Sequence, residues 1–314
     1  EIVWAIGLKY TDGWTRTLTI TSDRATSSAP AVSVLIATRH RPDRLAETLR
    51  GLAAMRTDGL HWQLVVVDNG GDGRTREVVA SAALPVSLVV EAAPGKNRAL
   101  NRGLDVVAGS LVVFTDDDVR VDGGWLAEVV AGADRWPAAS MFGGRILPEW
   151  PEGEEVPPYH PFFDHAYGIA DFAHGEGPYS PGYVYGGNMA VRAALFHSGW
   201  RFDERLGPDG GDRYVTGSET SLTVALARQG HTAVYLPRAL VHHQIRPEQL
   251  SPAWLYGRAF RRGRADALKQ GLRGGWRRIP PALVTRAARA YAAWSASRLR
   301  GDRAGTLDHG LAYW

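Results

Sequence analysis

The sequence has no cysteine, which excludes disulfides, thiolate metal sites and cysteine nucleophiles. It has no apolar run near the ~18 residues that a membrane span needs, and its N-terminus has no basic region followed by an apolar stretch. A cytoplasmic protein is therefore expected. Lysine is scarce, with only Lys9, Lys96 and Lys269 among 36 basic residues, and no function follows from that bias. Two glycine patterns are also missing. No glycine lies between Ala37 and Leu45, where a G-x-G-x-x-G turn would begin, and Gly95-Lys96 is followed by Asn97 rather than Ser or Thr, with no glycine at position 90. These gaps argue against a dinucleotide fingerprint and a P-loop.

What is present suits an enzyme. The chain has 314 residues, 45% of them hydrophobic, with a net charge of +3. At that length about three quarters of the unfolded surface can be buried, enough for one large domain, or a domain with a helical extension, without staples. Charge is uneven: residues 258 to 303 hold thirteen basic residues against Asp266 and Asp302. Such a stretch suits an anionic partner, whether phosphate, a lipid surface or another subunit.

Residues 2 to 20 read as two short strands around Thr11-Asp12-Gly13, and 22 to 30 as a polar linker. From Val32 the pattern changes. Strands are expected at Val32 to Ala37, Leu64 to Val67, Val86 to Val90 and Leu111 to Phe114, with helices at Pro42 to Met55, Arg74 to Ala83 and Asn97 to Val107. Strands alternating with helices imply βαβ crossovers, hence an α/β fold whose site lies beyond the carboxyl ends of the strands. The residues there are Thr38-Arg39-His40, Asp68-Asn69-Gly70 and Asp116-Asp117-Asp118. Three adjacent carboxylates repel one another unless a cation or donors offset them. Strand alternation would put Asp116 and Asp118 on one side, where a divalent cation could sit with positions open to phosphate oxygens. The alternative is a solvated acidic turn, with Asp118 capping the segment around Trp125.

Further pieces follow in order: Gly95-Lys96-Asn97-Arg98-Ala99-Leu100-Asn101-Arg102-Gly103, Gly186-Gly187-Asn188-Met189-Ala190, Gly217-Ser218-Glu219-Thr220-Ser221-Leu222 and Val241-His242-His243. With the strand ends, this set resembles the family 2 nucleotide-sugar glycosyltransferases from Val32 to about Gly257. The resemblance implies a GT-A (Rossmann-like) fold, with a mostly parallel sheet flanked by helices and a helical C-terminal extension. It divides the chain into an N-terminal hairpin and linker (1–30), a catalytic domain (31–250, with a nucleotide-binding half 31–120 and an acceptor half 121–250) and a basic helical extension (251–314).

The resemblance also implies roles. Asp68 would accept from the nucleobase, though a turn-former before Asn69-Gly70 reads equally well. Thr38, Asp116 and Asp117 belong to the nucleotide site, with Asp116 at the ribose. Asp118 would hold Mg²⁺ or Mn²⁺ at the diphosphate, with His243 completing the metal site. Only one of His242 and His243 can face inward from an extended segment. Lys96 or Arg98 would add charge near the phosphates, because Leu100 stands where the family often has Arg. Gly186 and Gly187 would let the backbone approach a sugar closely. Aligning Gly217 and Leu222 with the family's Gly-Glu-Asp-x-x-Leu makes Glu219 the base, at a helix N-terminus that favours an anion. A helix cap is the other reading of Glu219, and Asp212 is the second candidate base.

Between residues 144 and 185, Trp150, Tyr159, Phe162, Phe163, Tyr167, Phe172, Tyr179, Tyr183 and Tyr185 stand among many Pro and Gly residues, and acceptor binding is favoured slightly over a satellite core. The function expected is inverting, metal-dependent transfer from a UDP- or TDP-type sugar to a carbohydrate, lipid-linked or small-molecule acceptor, with no nucleic-acid partner. The alternatives are a non-catalytic sugar-nucleotide binding or scaffold protein, or a nucleotidyltransferase. Residues 282 to 299 place Leu283, Ala287, Tyr291 and Trp294 on one helical stripe. Docking of that stripe on the catalytic domain is the expected outcome. The sharper alternative turns Arg261, Arg262, Arg264, Arg277 and Arg278 toward an anionic membrane, at the inner face, or toward a phosphate-bearing acceptor.

Overall fold

The computed structural model describes residues 5–9, 17–21, 30–57, 59–211, 214–269 and 281–313. Strands β1 (Ala5–Lys9) and β2 (Thr17–Thr21) pair antiparallel, and Leu18 meets Leu88 of the main sheet. The Thr11-Asp12-Gly13 turn and nearly all of the 22–30 linker lie outside the described residues. The βαβ part follows as β3 (Val32–Thr38), α1 (Pro42–Ala53), β4 (Trp62–Asn69), α2 (Gly73–Ala80), β5 (Ser87–Glu91), α3 (Lys96–Leu104) and β6 (Leu111–Asp116). A short β7 (Val119–Val121), α4 (Trp125–Arg135), β8 (Met141–Glu149), α5 (Phe162–Ala166) and the two-residue β9 (Gly177–Pro178) come next. They are followed by β10 (Met189–Arg192), α6 (Ala193–His197), α7 (Ser218–Arg228) and β11 (Ala233–Gln244). Three helices follow: α8 (Pro252–Lys269), α9 (Pro281–Leu299) and α10 (Arg303–Tyr313).

The strands form one sheet in the order β1-β2-β5-β4-β3-β6-β10-β8-β11-β7, with β9 on β11. Strands β5-β4-β3-β6 are parallel, as the alternation with helices requires. The other half is mixed, because β10 enters antiparallel between β6 and β8 while β8 and β11 run parallel. The expectation of a mostly parallel sheet therefore holds for the first half only. Because side chains alternate, Val34 and Ile36 pack under Leu45, Leu49 and Leu52 of α1 and under α4, whereas Leu35, Val65 and Val67 pack against Ala99, Leu100 and Leu104 of α3 and against α7. Both faces of the sheet are covered, so the open place is its carboxyl edge.

Pro237 does not end the strand at Leu236. The pairing of β11 with β8 shifts register between Leu236 and Leu240, and that irregularity takes in a residue with no N–H to donate. Beyond it, Val241, His242 and His243 pair with Val121, Arg120 and Val119 of β7. This register puts His243 beside the acidic turn between β6 and β7.

Asn188, which ends a 3₁₀ turn at Gly186–Asn188, is the second organising point. It is buried, accepts from Trp125 Nε1 at 2.8 Å, and donates to the carbonyls of Arg145 at 2.9 Å and Ala239 at 2.8 Å. One side chain thus ties the glycine turn to α4, β8 and β11.

Most of the aromatic segment is a second core. Phe163 and Tyr167 pack with Leu250, Leu255 of α8 and Leu307 of α10, with Trp150, Phe162 and Trp254 at the edge. Phe172 meets Tyr179, Tyr183 and Tyr235 in tilted or edge-on contacts, and Tyr179 meets Tyr235. The slight preference for acceptor binding therefore fails for most of these rings; Tyr167 and Tyr185 alone of the nine line the cavity described below. Helix α9 packs against α10 rather than on the catalytic sheet, leaving Leu283 38% and Tyr291 50% exposed. Arg277 and Arg278 lie outside the described residues. No helix among the described residues is long and apolar enough to cross a membrane.

Asn188→Ala should lower the unfolding free energy by about 2–5 kcal/mol, since it strands a buried indole N–H and two carbonyls. Trp125→Phe should cost less through hydrogen bonding alone, because it leaves one acceptor unpaired. Urea denaturation checks both, and a loss below about 1 kcal/mol for Asn188→Ala would reject its role as a tie.

Candidate functional site

A cavity of about 530 Å³ opens at the carboxyl ends of β3, β4 and β6, bounded by the first turns of α3 and α7, the glycine turn, the end of β11 and one face of α8. Of the residues singled out in sequence, Thr38, Lys96, Asp116, Asp117, Asp118, Glu219 and His243 line it. Asp68 and Arg98 do not. Asp212 lies outside the described residues.

The three aspartates are separated by their partners. A two-residue turn between β6 and β7 carries Asp117 and Asp118, so strand alternation ends at Asp116 and is not what relates Asp116 to Asp118. Asp116 Oδ1 accepts from Lys96 Nζ at 2.7 Å. Asp117 accepts from the Thr38 hydroxyl at 2.6 Å and from Arg41 Nη1 at 3.1 Å. Asp118 Oδ2 accepts from the same Arg41 nitrogen at 3.3 Å. Its Oδ1 lies 3.6 Å from His243 Nε2.

These partners set the charge states. Burial raises the pKa of Asp116, but Lys96, with His243 and Arg41 behind it, outweighs that and the net shift is downward. Burial and then the neighbouring Asp118 push Asp117 up to about 6, against the pull of Arg41 and Thr38. Burial would lower Lys96, yet Asp116 and Glu219 hold it above its ordinary value. The Arg41 guanidinium shows the same balance, with Asp117 and Asp118 outweighing burial.

Glu219 stands in the first turn of α7, whose N-cap Gly217 has φ 101°, a left-handed conformation suited to glycine. Its Oε1 accepts from Lys96 Nζ at 3.1 Å, so one ammonium joins the strand-end aspartate to the α7 carboxylate. The Glu219 side chain lies against the Cα of Gly186, with Cγ and Cδ 2.8 Å from where a Cβ would stand. Gly186 is therefore needed for this internal contact. Gly187 has ordinary room, 3.6 Å from Asp116 Oδ2.

His243 Nδ1 lies 2.6 Å from the Tyr167 carbonyl, an acceptor only, so that nitrogen carries a proton and Nε2 is the ring atom turned toward Asp118. This is the arrangement that prepares an imidazole for a metal. Two atoms bound to one octahedral ion at about 2.1 Å lie roughly 3 Å apart, and the 3.6 Å between Asp118 Oδ1 and His243 Nε2 is close to that. The pair could hold one divalent ion. No group of three or more His, Asp or Glu side chains able to hold a metal occurs among the described residues, so other positions would fall to substrate oxygens. His242 points elsewhere, and burial, then Arg120, lowers its pKa.

Asp68 is buried beside the cavity, with Oδ1 lacking a hydrogen-bond partner. Burial raises its pKa, partly offset by backbone N–H groups of Gly71 and Asp72. Arg98 turns away to Glu204 at 3.2 Å. Sequence reasoning missed Arg41, although three consecutive carboxylates call for a nearby cation and Arg41 follows the first strand end. It also missed Tyr214, Trp254 and Arg258 on the far wall, where the spacing of Trp254, Arg258 and Arg261 marks one face of a helix.

With this geometry in view, comparison with known proteins defines the class. Residues 33–199 match the family model described as "Glycosyl transferase family 2". The chain belongs to that family, and it is a glycosyltransferase. It is 28% identical over 261 residues to the succinoglycan biosynthesis protein ExoM of Rhizobium meliloti, with 78% of each chain covered. It is 25% identical over 240 residues to the glucosyl-dolichyl phosphate glucuronosyltransferase of Haloferax volcanii, covering 74% of this chain and 75% of that one. Its fold matches the mannosyltransferase PcManGT from Pyrobaculum calidifontis, solved in complex with GDP-Man and Mn²⁺, with a TM-score of 0.56 at 19% identity over 91% of this chain and 87% of that one. TarS of S. aureus (residues 1–349) matches with a TM-score of 0.53 at 15% identity, with 90% of each chain covered. These likenesses make the fold GT-A.

Because the folded pKa of Asp117 is raised, its ionisation weighs against the folded state. That contribution is absent below about pH 4 and complete above about pH 6. In metal-free protein, Asp117→Asn should gain stability relative to wild type as pH rises from 4 to 7, by about 1–3 kcal/mol. Urea titrations at several pH values test this, and a stability difference that stays flat across the range would contradict it.

Proposed function

We propose that this glycosyltransferase is inverting and metal-dependent, with Glu219 as the base. The observation that carries the reading is the single Lys96 ammonium shared by Asp116 and Glu219, in a cavity whose adjoining wall holds Asp118 and His243. Glu219 takes the proton from an acceptor hydroxyl. The freed oxygen attacks the anomeric carbon from the side opposite the leaving group, and the C–O bond to the nucleotide diphosphate breaks with its electron pair leaving on the diphosphate. Lys96 holds Glu219 against Gly186 and keeps Asp116 ionised for the donor ribose. Asp118 and His243 would hold Mg²⁺ or Mn²⁺, which when bound supplies Lewis-acid stabilisation of the departing diphosphate. Thr38 and Arg41 keep Asp117 and Asp118 in place.

On this reading the donor is a nucleotide diphosphate sugar, which complexes of fold neighbours with GDP-Man and Mn²⁺, and of TarS with UDP, support. The acceptor is a hydroxyl on a carbohydrate, lipid-linked or small-molecule carrier, and the dolichyl phosphate in one relative's name favours a lipid-linked one. On this reading β3 to β7 form the nucleotide half, β8 to β11 the acceptor half, and the three C-terminal helices an extension that meets the acceptor and a membrane surface.

Glu219→Gln should leave nucleotide binding within a few-fold and lower transfer by about 10² or more. Asp118→Asn should abolish the Mn²⁺ dependence of UDP or GDP binding, while His243→Ala weakens it less and His242→Ala hardly at all. Calorimetry and a transfer assay read these outcomes. Normal transfer by Glu219→Gln, or unchanged Mn²⁺ dependence in Asp118→Asn, would overturn the corresponding assignment.

A further inference from the structure

The cations lining the cavity divide into two sets. Lys96, Arg41 and Arg246 each have a carboxylate within 4 Å: Asp116 and Glu219 for the first, Asp117 and Asp118 for the second, Glu248 at 3.4 Å for the third. Arg39, Arg258 and Arg261 have none among the described residues, and the Nε atom of each is buried without a hydrogen-bond partner. Arg39 stands apart beside Gly210, whereas Arg258 and Arg261 stand together on α8. A half-buried guanidinium gives up part of its hydration, so this pair, without a carboxylate among the described residues, suits an anion supplied from outside.

Both guanidiniums are held in position by rings. Arg258 lies over Trp254, 5.6 Å from its centroid, and Trp254 stacks on Tyr167 at 5.5 Å with the planes 8° apart. Arg261 lies over Tyr214 at 5.0 Å, and Arg258 Nη1 reaches the Tyr214 hydroxyl at 3.5 Å. Stacking fixes each fork and leaves its edges open to oxygens, as planar recognition of an oxyanion requires. The site is close to the chemistry, for Tyr214 is five residues before Glu219, at most about 18 Å along an extended chain. It is also separate from the strand-end carboxylates, since it is built from α8 and the segment leading into α7.

We propose that Arg258 and Arg261 form a phosphate site for the acceptor, so that the hydroxyl presented to Glu219 belongs to a phosphate-bearing molecule. Two guanidiniums match the charge of about −2 on a phosphate monoester or a diphosphate, and two forks match its several oxygens. The inference rests on the transfer reading above for its position in the reaction, although the anion site itself is measured independently of it.

The test is calorimetry on the full chain saturated with UDP or GDP and Mn²⁺, titrated with farnesyl phosphate, glucose 6-phosphate and their uncharged counterparts farnesol and glucose. At least one phosphate probe should bind, more weakly as salt rises, while its uncharged counterpart should bind at least tenfold more weakly. Arg258→Gln with Arg261→Gln should weaken phosphate binding by tenfold or more, and Arg258→Lys with Arg261→Lys should recover part of it. Thermal unfolding and nucleotide binding of the same variants show that they are folded. Preference for farnesyl phosphate assigns a lipid-linked acceptor, and preference for glucose 6-phosphate a soluble one. Binding of neither, or equal binding by the Gln variant, would overturn the proposal. Failure of the nucleotides to bind while phosphate binding still depends on the two arginines would count against the donor reading alone.

Discussion

Three consecutive carboxylates at the end of a buried strand cannot all stay ionised unless something offsets their repulsion, and the rest of the site is arranged by that requirement. Each aspartate has its own answer. Asp116 takes the Lys96 ammonium, Asp117 the Thr38 hydroxyl and one Arg41 contact, and Asp118 the same Arg41 nitrogen with His243 behind it. These partners come from the end of β3, the residues before α1, the start of α3 and the far end of β11. Meeting the charge requirement therefore brings three distant parts of the chain to one edge of the sheet.

Rigid elements supply the alignment. The register of β11 with β7 sets His243 opposite Val119, and the backbone N–H of Gln244 donates to the Asp118 carbonyl at 2.9 Å. Asn188 binds the glycine turn to α4, β8 and β11, and the turn in turn leaves Glu219 the room that a side chain at position 186 would fill. Thr115 fastens that turn to β6 through a bond to the Gly187 carbonyl at 2.9 Å. Glu219 on α7 and His243 on β11 are thus held by packed helix and strand, which is what positioning chemistry demands.

The cavity is electrostatically divided. Its strand-end wall gathers carboxylates around Lys96 and Arg41, while the α8 wall presents ring-stacked arginines. Helix α8 belongs to the basic stretch that stands out in composition, yet only Arg258 and Arg261 of its arginines line the cavity, and the half-exposed Leu283 and Tyr291 of α9 face outward instead of joining the catalytic core.

The α/β class and the strand ends that carry Thr38, Asp68 and Asp116 to Asp118 were legible in the sequence, because buried parallel strands are short apolar runs and their termini are where polar residues appear. The first half of the sheet, α1 and α3, and the placement of Glu219 at a helix start were readable for the same local reason. Nothing local shows that β10 enters antiparallel, that β11 passes through Pro237, or that the aromatic segment closes over α8 and α10 as a core, since each depends on pairing between residues far apart in the chain. The partners of the acidic turn were hidden likewise. Arg98 and Lys96 are two residues apart on one helix, and only the packed structure turns Lys96 toward Asp116 and Glu219 and sends Arg98 to Glu204. The sequence determined which chemical groups are available and on which elements they stand. The tertiary structure alone decided which charges meet, because electrostatic pairing depends on distances in space that a spacing along the chain does not specify.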